Sequence, residues 1–243
     1  MRHDPLVRPI ITSALKLAEA EGLGEENRRA VREHIGSIGP KISESPREQT
    51  YANAEFLYVL ARLLFARAQI LYGNGAHDEL IFEPYFGSHA SQVFPVSKEP
   101  LTFGVVIGAH AKTWEAVFYE LAHEMLHFLN PVQNIREQPI ATLEEGVAVK
   151  FAESVYSELV SAYTGRSPAV SPVAARAPQY YPAFSATKKL PDAVLATVRD
   201  HFGCFHTVND PVAFASLVDK YLDPREIELL LTPFQYGPQV IIA

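Results

Sequence analysis

From Trp114 to Leu129 the chain reads as a helix that is apolar almost all the way round. Val117, Phe118, Leu121, Ala122, Met125, Leu126, Phe128 and Leu129 spread over most of its circumference at helical pitch. Such a helix has no broad face to offer to water, so it belongs inside a fold with other elements packed around it. The exceptions form one narrow stripe: Glu120, His123, Glu124 and His127. Buried histidines and carboxylates are costly unless they are paired or bound to a metal. A metal ion along the stripe is the simplest reason for it. The alternative is a buried helix whose histidines are satisfied by hydrogen bonds alone.

The stripe contains His123-Glu124-Met125-Leu126-His127, an H-E-x-x-H pattern. Two histidines one turn apart project from one helical face, so both rings can reach a single ion. Zinc takes neutral imidazole nitrogen and holds its ligands as a tetrahedron. Glu124, angled slightly away, is placed to activate the metal-bound water by taking its proton, which it then passes to a leaving group. Thr113 is predicted to cap the helix, Glu115 sits in its first turn, and Asn130-Pro131 ends it.

A second helix is predicted from Pro139, suited to a first turn, to about Tyr163. Its exposed arc carries Gly146, Lys150, Glu153 and Ser157. Its buried arc carries Leu143, Val147, Ala148, Phe151, Ala152, Val155 and Leu159. Glu144 and Glu145 fall within the buried arc, which is unexpected for carboxylates. The short connection from Pro131 to Gln138 lets the two helices pack as antiparallel neighbours, returning a carboxylate to the histidines.

These segments resemble the gluzincin metallopeptidases, the broad group that contains the thermolysin-like enzymes and related zinc aminopeptidases. The resemblance runs from Trp114 to Ala152 and rests on His123, Glu124 and His127 followed by Leu143-Glu144-Glu145-Gly146-Val147-Ala148. It implies a zinc ion, one per chain, held by His123, His127 and Glu145, with Glu124 as general base and a peptide or protein as substrate. Glu144 stands where those families carry Asn, and Val149 stands where thermolysin-like enzymes carry an Asp that orients a histidine. The spacing from His127 to Glu145 is slightly shorter than in the best-known families.

Metal-bound histidines donate their other ring nitrogen to a neighbouring acceptor, and Glu120 or Glu144 could serve; for Glu120 a salt bridge to an arginine is the competing expectation. A donor facing the developing oxyanion is expected among Tyr156, Tyr163, Tyr180, Tyr181, His201 and His206, with Tyr156, Tyr181 and His206 foremost. Gly104-Val105-Val106-Ile107-Gly108-Ala109 is a candidate edge strand beside the cleft, and His110 just after it reads as a loop histidine or as one facing the cleft.

The rest of the chain frames this core. The expected class is α+β and mainly helical, a small sheet beside the H-E-x-x-H helix. Residues 1–75 form an N-terminal helical region, with helices at Pro5 to Ala20, Glu25 to Ile38 and about Arg47 to Leu71. Residues 76–163 form the metallopeptidase-like core. Its strands are expected at Leu80-Ile81-Phe82, Gln92-Val93-Phe94 and Thr102 to Ile107. Residues 164–182 are rich in Pro, Ser and Ala and read as a connector or, less simply, a flap. Residues 183–243 form a C-terminal helical region: Pro191 to Phe202, Asp210 to Tyr221 after an Asn209 cap, and Pro224 to Leu231 after Asp223.

Composition narrows the class of function. A net charge of −7 argues against nucleic acid or an anionic membrane as the main partner. The single cysteine, Cys204, excludes an internal disulfide and suits a reducing compartment; with no secretory signal or membrane span legible, cytoplasmic residence is the default. Oligomeric state is not legible. Two other functions fit the same residues: a gluzincin-like zinc-binding or regulatory protein without catalysis, and a non-haem iron oxidoreductase, since two His and one Glu also describe an iron triad. A di-iron bundle spreads its Glu-x-x-His motifs over two helices, whereas Glu120-x-x-His123 and Glu124-x-x-His127 overlap on one.

Overall fold

The computed structural model describes residues 7–19, 24–75, 83–98, 101–133 and 138–236. Within them the protein is mainly helical, with one three-stranded sheet. Helices α1 (Val7–Ala18), α2 (Glu25–Ile38) and α3 (Tyr51–Tyr72) come first. Strands β1 (Tyr85–Phe86), β2 (Gln92–Lys98) and β3 (Leu101–Ile107) follow, then α4 (Trp114–His127) and α5 (Thr142–Tyr156). Short α6 (Ala162–Thr164), α7 (Tyr180–Thr187), α8 (Asp192–Phe202), α9 (Pro211–Val218) and α10 (Pro224–Leu231) complete the order. No helix among the described residues is long and apolar enough to cross a membrane.

Helix α4 lies at the centre. Thr113 caps it by accepting from the Ala116 amide, and all its residues are buried except Glu115, Glu120 and His123. It packs on α3 and α1 on one side, α5 on another, and β2 and β3 on a third. One continuous core links it to Val7 of α1 and Leu230 of α10. Phe118 in that core is fully enclosed, and trimming it to Ala would cost about 3–5 kcal/mol.

Helix α5 begins at Thr142 rather than at Pro139. The preceding residues are engaged elsewhere: the Phe234 amide donates to the Ile140 carbonyl, Ala141 bridges Pro233, and the Thr142 amide donates to Thr232. Backbone committed to an extended neighbour cannot start a helix. Glu144 and Glu145 therefore sit in the first turn of α5, where the positive end of the helix dipole favours carboxylates. At its far end α5 widens into a π-helical turn, Ser157–Ser161, and the Ser13 hydroxyl donates to the Leu159 carbonyl there at 2.7 Å.

Gly146, expected on the exposed arc, is buried. Helix α7 lies against it, and the Thr187 hydroxyl donates to the Gly146 carbonyl at 2.9 Å. A Cβ at this position would stand 2.8 Å from the Ala183 carbonyl oxygen, so only glycine admits the contact. Residues 164–182, read as a connector, thus end in a packed helix that begins at Tyr180.

In the sheet β3 is central, with β1 parallel on one side and β2 antiparallel on the other. The strand expected at Leu80–Phe82 lies outside the described residues, and two-residue β1 was not anticipated. In the C-terminal region Asp210, not Asn209, caps α9, because its side chain reaches the Val212 and Ala213 amides. Asp223 and Glu226 form a reciprocal capping box on α10. Arg199 of α8 is buried and donates to the carbonyls of Tyr72 and Asn74 and to Asn130 Oδ1, tying the ends of α3 and α4 together.

Candidate metal centre

The stripe on α4 faces the first turn of α5. His123 and His127 bring their Nε2 atoms to 3.2 Å from each other. Glu145 Oε2 lies 3.4 Å from His123 Nε2, and Oε1 lies 3.6 Å from His127 Nε2. These three side chains are the group among the described residues that could hold a metal ion, their ligand atoms all within 4.8 Å of one another. Ligand bonds of about 2.0–2.2 Å arranged tetrahedrally give ligand–ligand edges of roughly 3.3–3.6 Å, close to the separations of these groups.

Hydrogen bonding supports the same fit. Glu145 Oε2 is buried and has no hydrogen-bond partner. A buried oxygen left unsatisfied costs roughly 1–3 kcal/mol, more when it is charged. His127 donates from Nδ1 to Glu144 Oε1 at 2.8 Å, which turns its Nε2 atom toward His123 and Glu145. Two ring nitrogens and a carboxylate oxygen without a hydrogen-bond partner converge here in a group that could hold a cation.

The supports around the triangle come from distant parts of the chain. Glu144 is shared: its Oε2 accepts from His206 Nδ1 at 2.9 Å. Tyr236, near the C-terminus, donates its hydroxyl to Glu145 Oε1 at 2.7 Å. Burial would raise both glutamates, but His127, with His206 on Glu144 and His123 on Glu145, pulls both below the usual carboxylate range. Two ionised carboxylates inside the protein demand positive charge nearby. Burial disfavours the charge on His127, yet Glu145 and Glu144 overcome it and hold the ring protonated well above its ordinary value. A metal ion would supply the same charge and release protons on binding.

Glu124 stands apart from this pairing. It is buried, and burial pushes its carboxyl up to about 7 against the pull of His123 and His127. It lines a cleft of about 540 Å³ together with His123, His127, Glu144 and Glu145. Residues Gln92 to Pro95 of β2 line the cleft, and so do Val170 and Pro172. The Pro-rich segment is therefore more than a passive connector: it contributes cleft surface. Among the described residues lining this space none is Lys or Arg.

Other expected site residues fall elsewhere. Glu120 does not support His123 and meets no arginine. It pairs with His110, Nε2 to Oε1 at 2.9 Å, because the loop after β3 brings that histidine over the stripe. Tyr156 turns away from the cleft into the core between Phe118 and Tyr119. The widened end of α5 belongs to the packing against α1, not to the site. Tyr181 points outward, 38 % exposed, with Arg176 over its ring. His206 reaches Glu144 rather than the cleft space, so it holds a support in place and does not face substrate. Tyr119, Tyr180 and Tyr236 are the tyrosines among the described residues lining the cleft, and the Tyr180 ring centroid lies 6.5 Å from that of His123. Tyr236 was missed entirely; the alternation of Phe234 and Tyr236 after Pro233 was the available sign of an extended segment with one aromatic face.

No family model matches the chain, and no curated protein or solved structure matches it either. The functional reading rests on the chemistry of the site.

Proposed function

We propose that the protein is a zinc-dependent peptidase with a gluzincin-like core. The carrying observation is the triangle of His123, His127 and Glu145, the last two buried, with a carboxylate oxygen that has no hydrogen-bond partner, opening on a cleft beside Glu124. These three side chains would hold the zinc. When bound, zinc supplies Lewis acidity toward carbonyl and water oxygens.

The chain's own groups do the rest. Glu124, with a carboxyl near 7, can accept a proton from water and return it to the departing amine around neutral pH. Glu144 fixes the His127 ring by holding its Nδ1 proton, the orienting task that Val149 cannot perform. Strand β2 is the sheet edge along the cleft, so an extended peptide can add to it through backbone hydrogen bonds. The lining, rich in glutamate and without Lys or Arg among the described residues, favours neutral or basic peptide segments over acidic ones.

The test is Glu124→Gln. It is expected to retain zinc while hydrolysis of a mixed peptide library falls by about 10²–10⁴-fold. Hydrolysis at the wild-type rate would overturn the mechanism. Iron with visible absorbance in protein purified without added metal would overturn the metal assignment in favour of oxidoreductase chemistry.

A further inference from the structure

We infer that Tyr236 is a positioning residue for the metal ligand Glu145, and that the C-terminal segment Thr232–Tyr236 is the strap that delivers it. This rests on the metal-binding reading above. The segment is anchored by two backbone hydrogen bonds that together form one antiparallel bridge, Ala141 opposite Pro233, at the start of α5. Thr142 donates to the Thr232 carbonyl at 2.9 Å, and Phe234 donates to the Ile140 carbonyl at 2.8 Å. The strap therefore lies against the very residues that set the start of α5 and hence the place of Glu145.

Alternation along the extended segment sends Phe234 and Tyr236 to one face. Their rings pack edge to face at 5.0 Å between centroids, and Phe234 packs on Tyr180 at 4.9 Å. Tyr180 in turn stands beside His123. This aromatic row holds the Tyr236 ring in place, and its hydroxyl donates to Glu145 Oε1 at 2.7 Å.

The consequence is a division of labour between the two oxygens of one carboxylate. Oε1 accepts from Tyr236, while Oε2 is buried, has no hydrogen-bond partner and lies 3.4 Å from His123 Nε2. A carboxylate pinned through Oε1, which also lies 3.6 Å from His127 Nε2, cannot rotate freely, so Oε2 is held toward His123. Glu145 then has on its outer side what His127 has in Glu144. Partners of this kind set the orientation of metal ligands, and their loss costs about 10–100-fold in metal affinity.

The experiment compares wild type with Tyr236→Phe, which keeps the ring in its row and removes only the hydroxyl. Zinc is titrated into each metal-free protein against a chelator of known affinity. Cobalt is then substituted and its visible absorption, which reports ligand geometry, is recorded. Tyr236→Phe is expected to bind zinc about 10–100-fold more weakly and to change the cobalt spectrum, with the melting temperature of the metal-free protein preserved. Zinc affinity within twofold of wild type, with an unchanged cobalt spectrum, would overturn the assignment. A wild type that binds neither metal would instead overturn the reading on which it rests.

Discussion

Two buried polar clusters join α4 to α5, and they are built in opposite ways. In the first, Glu153 Oε1 accepts from the Tyr119 hydroxyl at 2.9 Å and from Ser171. Ser171 also takes the amides of Val173 and Ala174. Donors and acceptors answer one another, and the cluster closes without outside help. In the second, around His123, His127 and Glu145, the outer atoms are satisfied by Glu144 and Tyr236, but the inner ones converge on each other with one oxygen unanswered. The first is a polar weld between helices and the Pro-rich loop. The second has the form of a coordination shell, and we propose that a metal ion completes it. Burial alone does not separate them; the direction of the unused lone pairs does.

If that contrast is right, substitutions in the two clusters will separate cleanly. The largest effect is expected for His123→Ala, which removes one corner of the triangle. Metal analysis after dialysis should find no retained zinc, and added zinc should no longer raise the melting temperature. Glu144→Gln comes next. It weakens the hold on His127 and should lower zinc affinity about 10–100-fold in a chelator competition, without removing the site. Gly146→Ala tests the packing between the clusters. A methyl group 2.8 Å from the Ala183 oxygen should cost about 1–3 kcal/mol in denaturant unfolding as α7 is pushed away. Tyr119→Phe should be mildest: about 1 kcal/mol of stability from one lost hydrogen bond, with zinc affinity unchanged. A loss of zinc in Tyr119→Phe, or none in Glu144→Gln, would erase the distinction between weld and shell.

Much of α4 and of the ligand group could be read in the chain because both are local. Thr113, the apolar circumference and the one-turn spacing of His123 and His127 all lie within a few turns of helix. Glu144 and Glu145 were visible as carboxylates on an apolar arc. Their placement in a first turn was not, since α5 starts at Thr142 only because residues far along the chain bind Ile140 and Ala141. The outer supports were hidden for the same reason. His206 and Tyr236 reach the glutamates across more than one intervening helix, and no periodicity reports such contacts. Gly146 misled because small residues read as solvent-facing on a helical wheel, whereas here the missing side chain makes room for α7. Glu120 found His110 through loop geometry that sequence spacing does not encode.

The most direct measurement is a calorimetric zinc titration of the chelator-stripped protein beside its Glu145→Ala variant. Binding of one equivalent by the wild type, abolished or severely weakened in the variant, is the expected result. Absence of binding in the wild type, or equal binding by both proteins, would contradict the assignment of these three side chains as a metal site.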